Sequence, residues 1–65
     1  MTITLTVYQW VDIVNASTED ECEIVNEIED NCEGESMYNE LSLDFAGPEL
    51  EMVRAMAERA GICIE

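Results

Sequence analysis

Residues 19 to 35 carry nine carboxylates and no base. Ile24, Val25, Ile28 and Cys32 thread through this run at i, i+1, i+4 and i+8. At 100° per residue the four apolar positions make one helical stripe about 100° wide. Glu19, Glu23, Glu27, Asp30 and Glu33 fall on the opposite flank, with Asp20 and Glu29 beside them. The pattern predicts a helix from about Thr18 to Cys32 that stops before Gly34. Ser17 or Thr18 caps it, with Asp20 or Glu21 as the return partner three residues on.

Such a helix is greasy on one side and almost pure carboxylate on the other. Like charges at i, i+4 destabilise a helix by roughly 0.2–0.5 kcal/mol per pair, and Glu19/Glu23 and Glu23/Glu27 have no Lys to relieve them. Glu29, Asp30, Glu33 and Glu35 crowd the C-terminal end, where the helix dipole favours cations. The stretch from Leu50 to Ala60 is built conventionally: Arg54 and Arg59 sit among Glu51 and Glu58, with Arg54 and Glu58 at pairing distance.

The rest of the chain is read by periodicity. Residues 2 to 14 alternate, with Ile3, Leu5, Val7, Val11 and Ile13 on one side and Thr2, Thr4, Thr6, Tyr8 and Trp10 on the other. Rich in β-branched and aromatic residues and free of Gly and Pro, they predict one long strand, or a strand bulged near Gln9. Met37, Leu41, Leu43 and Phe45 alternate with polar residues and predict a second strand. Pro48 suits a first helical position, Leu50, Met52, Val53, Met56, Ala57 and Ala60 form a second helical stripe, and Gly61 ends it. Ile62-Cys63-Ile64 predicts a short third strand. The expected fold is a single two-layer α+β domain, β-α-β-α-β, with a three-stranded sheet and two helices on one face. Ile3, Leu5, Val7, Leu41, Leu43, Phe45, Ile62 and Ile64 would meet the helices. Tyr8, Trp10 and Tyr38 would then lie on the open sheet face, as hot-spot residues for a partner, unless a twist or bulge buries Trp10 under a loop.

Composition removes whole classes of function. The 65 residues hold 16 acids against two Arg, with no Lys and no His, for a net charge of −14. Phosphate contacts need cations, so direct binding of nucleic acid or of an anionic membrane is not expected. Without His there is neither a group poised near neutral pH nor an imidazole ligand, and without Lys there is no Schiff base. No apolar run is long enough to span a bilayer. The first residues lack the pattern of a signal peptide, so a cytoplasmic location is expected. Asn15-Ala16-Ser17 fits a glycosylation acceptor, which a cytoplasmic chain does not use.

Cys22, Cys32 and Cys63 are too few and too widely spaced for a cysteine zinc site. They read as free thiols in or near the core, the alternative being one exposed thiol. The segment from Asp30 to Gly34 is a poor calcium loop, with its glycine one place early and no glutamate at the twelfth position. A cysteine nucleophile would lack its histidine, and Gly34, Gly47 and Gly61 are isolated. No cofactor, metal site or enzymatic activity is expected.

The acidic run remains to be explained. Nine acids along a helix of roughly 22 Å give about one charge per 2.5 Å, within a factor of two of the roughly 1.7 Å per charge of duplex DNA. A solvated face that maintains solubility is one explanation. Adaptation to a salty cytoplasm is another, which the preference for Glu over Asp and the many Ile disfavour. A recognition face for a basic protein groove is the third.

In size, acidity, lack of Lys and α/β patterning, the chain resembles phage-encoded inhibitors of bacterial defence, the anti-CRISPR and anti-restriction proteins, several families of which are small acidic DNA mimics. The resemblance spans the whole chain as composition and layout and rests on no motif. It implies a CRISPR effector complex or another basic DNA-binding protein as partner. The expected contact residues are Glu19, Asp20, Glu23, Glu27, Asp30 and Glu33, helped by Glu40 and Asp44. The competing expectation is a non-enzymatic adaptor, antitoxin-like or an assembly subunit, which binds through Tyr8, Trp10 and Tyr38.

Overall fold

Thr2–Thr6 forms strand β1, and Val7–Asn15 follows immediately as helix α1. A 3₁₀ turn at Glu19–Glu21 leads into helix α2, Cys22–Cys32; strand β2 is Glu40–Asp44 and helix α3 is Pro48–Ala60. The computed structural model describes residues 1–64. The two strands pair antiparallel, from Thr2 opposite Asp44 to Thr6 opposite Glu40. Small and mixed α+β, the described residues form three helices and a two-stranded sheet rather than two helices on three strands.

The first correction lies at residues 7 to 14, which are helical and not strand. Thr6 ends β1 and caps α1: its Oγ1 accepts from Gln9 N at 3.2 Å, and the Gln9 side chain accepts from Thr6 N at 3.0 Å. This reciprocal pair satisfies helix-end donors that have no intrahelical partner. Val7 N and Tyr8 N, the next two donors, reach Asn39 O at 2.9 Å and Met37 O at 3.0 Å. Val7, Trp10 and Ile13 are the buried residues of the resulting helix.

A second correction concerns the C-terminal strand. The Gly61 N–H bonds Glu58 O at 3.1 Å and the Ile62 N–H bonds Ala57 O at 2.8 Å. Gly61 adopts φ 76°, the left-handed conformation that this helix-ending motif requires. Ile62 is therefore committed to ending α3, and residues 62–64 add no strand to the sheet. Ile62 and Ile64 still pack half-buried against the core. The expected second strand is shortened as well, because residues 37–39 are used to cap α1.

Strand alternation sets the layers. Ile3, Leu5 and Leu43 point into a core shared with Trp10 and Ile13 of α1, Ile24 and Ile28 of α2, and Val53, Met56 and Ala57 of α3. Trp10 is fully buried, donates from Nε1 to Leu41 O at 3.0 Å, and lies 6.1 Å from Phe45 between ring centroids. The other sheet face carries Thr2, Thr4, Thr6, Glu40, Ser42 and Asp44. Thr4 and Ser42 hydrogen-bond across it at 2.8 Å, and Thr2 donates to Asp44.

Candidate interaction surface

The apolar side of α2 is held down by Ile24 and Ile28, which are 1% and 0% exposed. With that side fixed, helical spacing places Glu23, Glu27 and Asp30 together on the side away from Val25 and Cys32, and all three are exposed. Glu29 is exposed on the flank of the same helix. Three carboxylates on one flank of an 11-residue helix, about 16 Å long, give about one charge per 5.5 Å, within a factor of two of the roughly 3.4 Å per charge of one DNA strand.

The remaining expected contact residues are exposed but placed differently. Glu19 and Asp20 belong to the 3₁₀ turn before α2, so they extend its charge at the N-terminal end without continuing its stripe. Glu33 follows α2 with extended backbone, φ −61° and ψ 127°. It lines a shallow groove of about 400 Å³ with Val11, Glu29, Asp30 and Cys32. Glu40 and Asp44 stand on the open face of the sheet, which turns away from the core that α2 covers from the other side. The structure thus brings Glu23, Glu27 and Asp30 onto one flank, sets Glu19, Asp20 and Glu33 at its ends, and separates Glu40 and Asp44 from it.

Of the three aromatic candidates, Trp10 lies inside the core, buried by the turn of α1 rather than by a twist or bulge of a strand, and presents nothing to a partner. The open sheet face is threonine, serine and carboxylate rather than aromatic. Tyr8 on α1 and Tyr38 in the loop before β2 are 56% and 90% exposed.

Glu21, expected as a return partner for a cap at Thr18, is the one buried charged side chain among the described residues. It receives Thr18 N at 2.8 Å and the Arg59 guanidinium, which also donates from Nε to Ala16 O at 2.9 Å. Burial pushes this carboxyl up, but the hydrogen bonds from Arg59 and Thr18 and the charge of Arg59 outweigh it and hold the group below its usual range. The expected return bond to a cap at Thr18 was the available clue. Arg54 does not pair with Glu58; its guanidinium donates to Met1 Sδ at 3.5 Å. Both arginines are therefore engaged away from the outward flank of α2.

The cysteines are free, with Cys22 and Cys63 exposed and Cys32 half-buried, so two of the three lie outside the core. Burial raises the Cys32 thiol, and the charges of Glu29 and Glu35 raise it further. Among the described residues no group of three or more His, Cys, Asp or Glu side chains is arranged to hold a metal ion. Among the described residues no helix is long and apolar enough to cross a membrane. No family model, curated protein or solved structure matches the chain.

Proposed function

We propose that the protein is a non-enzymatic inhibitor whose acidic surface takes the place of DNA in the binding groove of a bacterial defence complex. The observation that carries this reading is the outward flank of α2, where Glu23, Glu27 and Asp30 stand exposed while Arg54 and Arg59 are engaged elsewhere. Unneutralised carboxylates within a factor of two of the linear density of a DNA strand attract a groove lined by Lys and Arg and speed the encounter by steering. Glu19, Asp20 and Glu33 lengthen the charged track at its two ends. Glu40 and Asp44 add to the long-range field from another face and need not touch the partner. The resemblance in size and composition to phage inhibitors supports the partner class.

The test is capture of a DNA-binding complex from bacterial lysate, eluted by a salt gradient and then challenged with duplex DNA. Binding should weaken steeply with salt and compete with the duplex. The pair Glu23→Lys and Glu27→Lys should abolish inhibition in a chain that still folds. Inhibition unchanged by those reversals would overturn the reading.

A further inference from the structure

The loop before β2 is fastened to the start of α1 by backbone. Val7 N bonds Asn39 O at 2.9 Å and Tyr8 N bonds Met37 O at 3.0 Å. On the other side of the same junction, Thr6 pairs with Glu40. Residues 37–40 are thus held against residues 6–8, and Tyr8, Met37 and Tyr38 share one corner of the molecule. They are 56%, 40% and 90% exposed. The chain has four aromatic residues; Trp10 and Phe45 fill the core, and both tyrosines are outside it.

Two carboxylates neighbour this corner through the backbone. Asp12 lies one helical turn from Tyr8 on the same side of α1, and Glu40 opens β2 beside Thr6. A guanidinium matches this combination: it stacks flat on a phenol ring and donates two parallel hydrogen bonds to a carboxylate. Among the described residues no cation is placed there: Arg59 is held by Glu21 and Ala16, Arg54 lies at Met1, and the N-terminal ammonium donates to Phe45 O at 2.8 Å. In a chain of net charge −14, the molecule that covers these rings is basic by charge complementarity.

We infer that Tyr8, Met37 and Tyr38, with Asp12 and Glu40, form a docking site for an arginine-bearing segment of a partner protein, separate from the flank of α2. The inference shares with the proposed function a basic partner, and adds a contact that reads the shape of the cation where the α2 flank reads only charge. A lysine has no planar group to stack, so the site prefers arginine.

The test is titration of the ¹⁵N-labelled full chain with an eight-residue polyarginine peptide and, separately, with polylysine of equal length. The expected shifts centre on Tyr8, Asp12 and Met37–Glu40, with arginine the tighter ligand. Tyr38→Ala should weaken polyarginine about threefold, and Tyr8→Ala with Tyr38→Ala about tenfold, while polylysine, whose ammonium cannot stack, should lose less than about threefold. Both side chains are exposed, and circular dichroism checks that the variants keep the fold. Shifts centred on Glu23, Glu27 and Asp30 with equal affinity for both peptides would overturn the site and leave the electrostatic reading of α2 standing. No binding of either peptide, or binding indifferent to both tyrosines, would overturn it as well.

Discussion

The Arg59 guanidinium closes on the Glu21 carboxylate and ties the end of α3 to the turn that starts α2. Glu21 is buried while Arg59 stays partly exposed, so solvent screens the pair from one side. Arg59 also donates to Ala16 O, so one side chain fixes both ends of the α1–α2 connection. The glutamate that lies deepest within the acidic run is therefore a structural residue, and its neighbours are the ones turned to solvent.

Glu21→Gln is expected to destabilise the domain by about 1–2 kcal/mol, below the value for a fully buried pair because Arg59 is accessible to water. The Glu21 carboxyl is held below its ordinary value of 4.5 in the folded chain. Its contribution is fully present above that unfolded value and is lost as pH falls through the lower folded one. Urea midpoints from pH 7 down to pH 3 should show the difference between wild type and variant shrinking only below pH 4.5.

Thr6→Ala removes the acceptor for Gln9 N at the junction of β1 and α1. A loss of about 1 kcal/mol is expected, typical of a lost N-cap, with the denaturant slope unchanged. Thr6→Ser keeps the hydroxyl and should recover most of it.

Trp10→Phe keeps most of the buried ring but leaves Leu41 O without the indole donor. We expect a cost of about 1–3 kcal/mol. Since Trp10 is the single tryptophan and fully buried, wild-type fluorescence should be blue-shifted, resist quenching by iodide and shift red cooperatively on unfolding.

Glu27→Lys replaces repulsion with attraction to Glu23 at i, i+4, in the favourable order of acid before base, and with attraction to Asp30 at i, i+3. The gain should be about 0.5–1 kcal/mol at low ionic strength and should shrink as salt rises. A melting temperature raised by this change, together with lost partner binding, separates a residue kept for recognition from one kept for stability.

Thiol labelling offers a fourth kind of measurement. Cys22 and Cys63 are exposed, while Cys32 is half-buried with its thiolate disfavoured by burial and by Glu29 and Glu35. Two cysteines should react quickly with an aromatic disulfide reagent at pH 8 and the third slowly, all three becoming equal in denaturant.

Much of the fold was legible where a stop or start residue agreed with the periodicity. Pro48 and Gly61 bracket α3 as expected, and Ile24, Ile28 and Cys32 placed the inner side of α2. Residues 7 to 14 carry two competing periods. Val7, Val11 and Ile13 satisfy a two-residue period, whereas Val7, Trp10, Ile13 and Val14 satisfy a helical one, and β-branched content favoured the strand. A strand would have left Trp10 on an open face; the helix buries it, and Thr6 and Gln9 supply the cap. That cap was visible in the sequence, but the loop carbonyls of Met37 and Asn39 that complete it come from thirty residues further on. The outward flank of α2 was legible because it depends only on local spacing. The inward turn of Glu21 was not, because it depends on Arg59. The separation of Glu40 and Asp44 from that flank follows from strand pairing, which local pattern does not encode.

The ribbon of β1 and β2 has consequences for colloidal behaviour. Two strands leave two unpaired edges, and along β1 runs a groove lined by Thr2, Ile3, Thr4, Leu5, Cys63 and Ile64. An edge of this kind invites another chain to add a strand, and no lysine is present to discourage it. Mutual repulsion between highly charged molecules does that work instead. Titration toward the isoelectric point near 4.1 removes the repulsion, so light scattering should rise there before the circular dichroism signal of the helices is lost.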